Sequence, residues 1–401
     1  MNKFDQILSA CLSRCDDASF STLVEYAQAR PLSLSEVGSL TTTMAKSGSQ
    51  LSFTTHTRTA DIASTGGPTS LSTLLCPLYL RCMGSVVSSL GVPGRPAGAV
   101  DVLAQIPNYS VHLPLESVST ILSESGYVHV TADNAFAPLD ARLFEYRRRM
   151  KVKAIPALAV ASLLSKKLAM GVLDVGLDIR IGPHGNFGSS YTEASDNARL
   201  FCLTAQHLGM HAVCFLTDGT TPYQPYVGRS ESLLALREIM TGSASGWLAE
   251  HSNMCRTMAN ALIKSQIDLD LSSVRDVFSR NLEAQGAAYI SFAEVCQCTE
   301  KAHRVPVCAT SDGFLSVDMD LLRSTLGEWQ ATSETNRCEY PDSCGLIFTK
   351  KHNEYIRQGE TVALVRCHPS HAQKVAQAFD PIMKSVPVPL RRMSLDSVCI
   401  E

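Results

Sequence analysis

Apolar residues recur at helical spacing through the first fifty positions. Leu8, Leu12 and Phe20 come first; Val37, Leu40 and Met44 follow a start signal in which Ser33 can cap and Glu36 stands three residues on, and Gly48 is a stop. From Asp61 the pattern changes to Gly, Ser, Thr and Pro between short apolar runs such as Gly84 to Leu90 and Tyr127 to Thr131. Strands alternating with helices through Leu103 to Ile121 are the expectation there, the signature of an α/β unit. Asp140 to Met170 returns to helix, with Leu143, Tyr146 and Met150 on one face and Leu158, Ala161, Leu164 and Leu168 on another. Strands resume at Val175 to Ile181 and at His211 to Thr217, each followed by a Gly- and Pro-rich loop and a helical pattern. From Gly313 the reading is short strands, including Thr361 to Arg366, with little helix beyond Ala372 to Met383. No internal repeat is visible.

The order α, α/β, α, α/β predicts an α/β fold in which the chain crosses twice between two lobes. A small all-α lobe comes from residues 1–55 and 136–171, and a larger mixed α/β lobe from 56–135 and 172–310, with a β-rich α+β part over 311–401. Loops from both lobes would meet at one cleft, and the crossings near residues 55, 135 and 172 would act as hinges.

Composition narrows the chemistry. The 401 residues are 45% hydrophobic and 18% charged, which excludes a disordered chain. Thirty-five Lys and Arg against 38 Asp and Glu leave a net charge of -3, the wrong balance for a phosphate-backbone binder, so no nucleic-acid partner is expected. The longest apolar run, Ala154 to Leu164, contains Pro156 and stops at Lys166 and Lys167, far short of the ~20 residues of a membrane span. Fourteen cysteines lie scattered from Cys11 to Cys399 with no secretory leader ahead of Phe4 and Asp5, which fits reduced thiols in a cytoplasm. Cys296 with Cys298, and Cys11 with Cys15, lack the second half of a zinc site and read as buried small apolar side chains.

Two stretches carry candidate chemistry. In Asp61 to Ser70 the paired Gly66 and Gly67 let backbone amides converge, Ser64 and Thr65 add hydroxyls, and a helix beginning near Leu71 would aim its positive end at the cleft. This is a recipe for an anion site, though the same residues also make ordinary turns and caps. It is neither a P-loop nor G-x-G-x-x-G. A second turn, Ser89 to Asp101, offers Ser89 and Arg95 as further anion donors. In the returning helical segment, Ser162 and Lys166 share a helix face and Arg147 precedes them. Together they supply a planar donor fork, a hydroxyl and a point cation, suited to a flat ring with carbonyl oxygens. Taken singly, Lys166 could snorkel and the basic run Arg147 to Lys153 could be solvated surface.

The order of these segments, with Ser162 to Leu168, Leu177 to Gly182 and Leu216 to Asp218, resembles the pyrimidine nucleoside phosphorylases, including thymidine phosphorylase, from about Leu32 to the C-terminus. The resemblance implies a homodimer joined through the helical lobes, a cleft closed by lobe rotation, and cleavage of a pyrimidine nucleoside's N-glycosidic bond by inorganic phosphate as co-substrate, giving free base and a (deoxy)ribose 1-phosphate. It places the base on Phe144, Arg147, Ser162 and Lys166, with Arg147 and Lys166 stabilising charge on the leaving ring. It places phosphate on Ser64, Thr65, Gly66, Gly67, Thr73 and Ser89.

The phosphate half departs from the family pattern. Ile62 and Ala63 stand where the family has Lys and His, Ala99 replaces a hydroxyl residue two positions before Asp101, and the loop after Gly67 is one residue shorter. Each charge-assisted hydrogen bond is worth about 1.5–3 kcal/mol, so affinity for phosphate by the family's route falls by several decades. Arg95 and His184, in the turn Gly182 to Phe187, are the candidates for a rebuilt site, His184 also as a catalytic residue. Where the resemblance implies a bound cation, Arg229 interrupts the matching Gly228 region, and no metal or organic cofactor is expected. Three rival readings follow: a phosphate-independent nucleoside hydrolase with Asp61, Asp101 or His184 as base, a catalytically weak nucleoside-binding homologue, and an enzyme for an altered or phosphorylated substrate whose pocket Ile62 and Ala63 would line.

Overall fold

The computed structural model describes residues 2–132, 135–152, 155–182, 187–331, 339–390 and 398–401. Helices α1 (Lys3–Arg14), α2 (Asp17–Ala29) and α3 (Leu34–Ala45) open the chain. The start signal of α3 forms a reciprocal cap, with the Glu36 amide donating to Ser33 Oγ (3.3 Å) and the Ser33 amide to Glu36 Oε2 (2.8 Å). The chain continues as β1 (Ala60–Ser64), α4 (Ser72–Cys82), β2 (Val87–Gly91), α5 (Ala99–Leu103), α6 (Leu115–Ser125) and β3 (Tyr127–Thr131). Between α5 and α6 there is no strand among the described residues, because Pro107 and Pro114 interrupt the run; the alternation expected over Leu103 to Ile121 is corrected accordingly.

Helices α7 (Pro138–Arg149) and α8 (Pro156–Ala169) each begin on a proline, whose missing N–H costs nothing in a first turn. They share one apolar core with the opening helices, in which Leu23, Leu40, Met44, Leu143, Leu158 and Leu164 are buried. That core runs on into β4 (Asp174–Ile181) and α9 (Tyr191–His207). A Cβ at Gly38 of α3 would stand 2.7 Å from the His207 ring, so α3 and α9 approach closely here.

Strands β1, β4 and β5 (His211–Asp218) run parallel, Ala60 opposite Asp174 and Asp174 opposite His211. A parallel bridge between Thr59 and Val86 continues them into the parallel pair β2 and β3. After β6 (Tyr226–Val227), helices α10 (Arg229–Thr241), α11 (Gly246–Ile263), α12 (Leu271–Ala284) and α13 (Tyr289–Lys301) build a second core with α4, and Ile62 belongs to it. A third core holds β7 (Arg304–Cys308), β8 (Gly313–Val317), α14 (Met319–Gln330), β9 (Gly345–Phe348), β10 (Tyr355–Ile356), β11 (Thr361–Arg366), α15 (Ala372–Phe379) and β12 (Met383–Val386). Its strands form two antiparallel sheets, β6-β9-β11-β7 and β10-β8-β12. The last strand, β13 (Val398–Ile400), pairs antiparallel with β5. The sequence reading missed α14, which Asp318 caps through the Leu321 amide (3.0 Å) and which buries Leu322 and Leu326 at helical spacing. It also ran one helix through Ala372 to Met383, where the chain turns out of α15 at Asp380–Ile382 into β12.

Parallel strands of this kind present their ligand sites beyond their C-terminal ends. The loop after β1 is the paired-glycine loop, and the turn after β2 carries Arg95.

Candidate active site

Residues Asp140, Phe144 and Arg147 lie four and three apart and therefore occupy one face of α7; Ser162 and Lys166 occupy one face of α8. The fold brings the two faces together. Lys166 Nζ donates to the Asp140 carboxylate, to the Ser162 carbonyl (2.7 Å) and to Ser162 Oγ (3.1 Å). Arg147 Nε donates to the Val152 carbonyl (3.2 Å), and burial pushes its guanidinium's pKa down against the opposing pull of Asp140. All four polar residues are buried, and Phe144 is half-buried beside them. Asp140 Oδ1 has no hydrogen-bond partner among the described residues. Among the described residues two cations, Arg147 and Lys166, stand by the one carboxylate of Asp140 in this buried pocket.

The glycine loop is held from β4. Gly66 (φ 115°) and Gly67 (φ 109°) take backbone angles open chiefly to glycine. Arg180 Nη1 reaches both their carbonyls, at 2.5 and 3.2 Å, and the Arg180 amide donates to Thr65 Oγ1 (2.9 Å). Asp178 anchors Arg180 by two hydrogen bonds (2.9 and 3.1 Å), and the hydroxyls of Ser72 and Thr217 also donate to it, each at 2.8 Å. At the start of α4 the Leu71 amide donates to His251 Nε2 (2.8 Å). Ser64 Oγ accepts from the Gly66 amide (3.2 Å), and Thr73 stands half-buried on the first turn of α4.

Several expected phosphate and base residues are engaged elsewhere. Ser89 Oγ donates to Asp61 Oδ1 (2.7 Å), whose other oxygen accepts from Lys167. Asp101 accepts from the amides of Gly94 (2.9 Å) and Arg95 (3.1 Å) and from Arg229 Nη2 (3.1 Å). Both carboxylates are buried and hydrogen-bonded in this way. Ile62 does not line the cleft: its side chain packs where a Cβ on Gly176 would come within 2.5 Å of it. Cys298 is exposed and Cys15 only half-buried, so the reading of all four paired cysteines as core residues holds for Cys11 and Cys296 alone. His184 lies outside the described residues.

The region around Gly228 does not fit a bound cation. Arg229 places its own positive charge there and donates to the carbonyls of Arg95 (3.2 and 3.3 Å) and Pro341 as well as to Asp101. Asp140, Lys167, Asp178, Arg180 and His251 had no role in the sequence reading of the site; Asp140 had a signal in its i, i+4, i+7 spacing with Phe144 and Arg147.

Beneath the cleft, His129 is fully buried near Asp61 and Lys167. Burial pushes its imidazole from 6.5 down to about 4, against the pull of Asp61 and with a smaller push from Lys167. The unfolded chain therefore takes up a proton that the native state refuses as pH falls from 6.5 towards 4, and stability drops over that window by up to about 3 kcal/mol. Urea unfolding of the wild type and of His129→Gln at about pH 7 and pH 5 checks this: the variant should lose less on acidification. Equal losses would show that His129 is not buried neutral.

No family model matches the chain. It is 27% identical to the thymidine phosphorylase of Burkholderia orbicola (strain MC0-3) over 344 residues, 81% of this chain and 77% of that protein. To the pyrimidine-nucleoside phosphorylase of Geobacillus stearothermophilus it is 22% identical, covering 87% and 84% of the two chains. To the human thymidine phosphorylase it is 30% identical over 277 residues, 64% of this chain and 56% of that one. Among solved structures, anthranilate phosphoribosyltransferase from Thermus thermophilus superposes with a TM-score of 0.53 at 15% identity, covering 73% of this chain and 93% of that one. Proteins named thymidine phosphorylase and pyrimidine-nucleoside phosphorylase are thus homologues of this chain over most of its length, and its fold is that of a phosphoribosyltransferase.

Proposed function

We propose that the protein is a pentosyltransferase that cleaves the N-glycosidic bond of a pyrimidine nucleoside by phosphorolysis, releasing the base and a pentose 1-phosphate. The observation that carries this reading is the buried, net-positive pocket of Asp140, Arg147, Ser162 and Lys166 between α7 and α8, in a chain homologous to such phosphorylases. As the C1′–N bond breaks, its electron pair goes to the ring, and the developing negative charge spreads to the ring oxygens. Arg147 and Lys166 stabilise that charge more than they stabilise the neutral nucleoside, which lowers the barrier. A phosphate oxygen forms the new bond to C1′, and the proton of the hydrogen phosphate ends on the base.

Ser64, Thr73 and the Gly67 amide hold the phosphate, with the Gly66 amide orienting Ser64 Oγ, while Arg180 and Thr65 fix the loop's shape. The helical segments join two copies into a homodimer; Leu12 (52% exposed), Leu34 (36%) and Met150 (53%) lie on them as uncovered apolar side chains. We place the enzyme in the cytoplasm, which the free described cysteines support. No described helix is long and apolar enough to cross a membrane.

Incubating the purified protein with uridine or thymidine, with and without phosphate, and separating the products tests the reading. Base release that requires phosphate is the expected result. Release at equal rates without phosphate would make the enzyme a hydrolase, and binding without release would make it a nucleoside-binding protein.

A further inference from the structure

The turn after β2 is built to present one side chain. Asp101 holds the amides of Gly94 and Arg95, and Arg229 holds the Arg95 carbonyl, so the backbone on both sides of the Arg95 Cα is pinned. The Arg95 guanidinium lies 5.9 Å from the ring of Phe144 on α7. It is half-buried and makes no hydrogen bond and no ion pair among the described residues. The neighbouring Asp101 attracts it but accepts no hydrogen bond from it, its oxygens being taken by the amides of Gly94 and Arg95 and by Arg229.

A second arginine approaches from the C-terminal part. Helix α14 packs on this turn: Gln330 Nε2 donates to the Pro96 carbonyl (2.8 Å), and a Cβ on Gly327 would stand 3.8 Å from Pro96 Cγ. Arg323 lies four residues before Gly327 and seven before Gln330, hence on the helix face that meets the turn. Its guanidinium is half-buried and also makes no hydrogen bond or ion pair among the described residues. Burial lowers the pKa of Arg95, and of the neighbouring charges Arg323 acts on it most strongly, ahead of the opposing Asp101 and of Arg148. Arg148 already has a carboxylate, bonded to Glu145 at 2.8 Å. Arg95 and Arg323 thus bring more positive charge to this turn than Asp101, which Arg229 shares, can balance, and two planar forks match the oxygens of a phosphoryl group.

We propose that Arg95 and Arg323 form a phosphoryl-binding site at the mouth of the cleft, with α14 supplying half of it. The site rests on the phosphorolytic reading only for the position of the base pocket. Its phosphoryl group comes either from inorganic phosphate, the co-substrate, or from the 5′-phosphate of a nucleotide taken in place of a nucleoside.

Calorimetric titration of the intact protein with inorganic phosphate, uridine 5′-monophosphate and uridine tests the site without requiring turnover, so failure of phosphorolysis and failure of this site read differently. At least one phosphoryl ligand should bind, with Kd raised about tenfold or more in Arg323→Ala and in Arg95→Ala, partly restored in Arg323→Lys, and with uridine affinity unchanged in the Arg323 variants. A loss confined to uridine 5′-monophosphate identifies the substrate's own phosphate; a loss for inorganic phosphate identifies the co-substrate. If neither phosphoryl ligand binds the wild type, or both bind Arg323→Ala as tightly as the wild type, the proposal is overturned.

Discussion

Arg147→Ala is expected to lower kcat/KM for base release by about 10²–10³-fold, the usual cost of removing one preorganised donor from a developing anion. The loss should fall mainly on kcat, because the charge it meets exists in the transition state and not in the bound nucleoside. Lys166 should matter as much, but its simple removal leaves Asp140 buried without its cation, which mixes a folding defect into the kinetics. The double change Asp140→Asn with Lys166→Met removes the pair together. It should keep thermal stability near that of the wild type and still lose activity on the same scale. Full activity in Arg147→Ala, or in the folded double variant, would move the base pocket away from α7 and α8.

Lys167 sits next to Lys166 in sequence and has a different task. Its ammonium meets Asp61 inside the protein, with both side chains at least 95% buried. Lys167→Met leaves that carboxylate desolvated and bonded only to the Ser89 hydroxyl, and should cost about 3–5 kcal/mol of unfolding free energy. A domain's total stability is about 5–15 kcal/mol, so the variant should unfold at a much lower urea concentration. Adding Asp61→Asn removes the buried charge and should recover most of the loss. A single variant within about 1 kcal/mol of the wild type would mean that water reaches the pair. One helix turn thus carries two lysines whose removal is expected to fail in different assays, the first in kinetics and the second in unfolding.

The difference between these two lysines was invisible in the sequence, and the reason is physical. Asp140 is 26 residues from Lys166 and Asp61 is 106 from Lys167, so the partners that define each lysine are set by packing. Local signals carried further. The Ser33 and Glu36 cap, the β4 and β5 runs and the positive φ of the glycine loop are short-range consequences of residue type, and each is present. Helix α14 was missed because its apolar stripe of Leu322 and Leu326 is narrow and its neighbours are short strands. Ile62 was misplaced for a similar reason: alternation along β1 says that one face is buried, but only the second core says which face. The glycine loop read as an anion site, yet the groups that hold its shape, Arg180 and Asp178, lie on a strand more than 110 residues further along the chain. Ser89 and Asp101, read as candidate site residues, have partners that the sequence likewise does not announce: Ser89 donates to Asp61, and Asp101 accepts from Arg229.

The central claim is that phosphate, and not water, attacks the sugar carbon. The most direct measurement is turnover of uridine or thymidine in ¹⁸O-labelled water with unlabelled phosphate, followed by mass spectrometry of the sugar product. The account predicts a pentose 1-phosphate whose C1 oxygen is unlabelled, with the base released in equal amount. Free pentose formed in place of the 1-phosphate would contradict it.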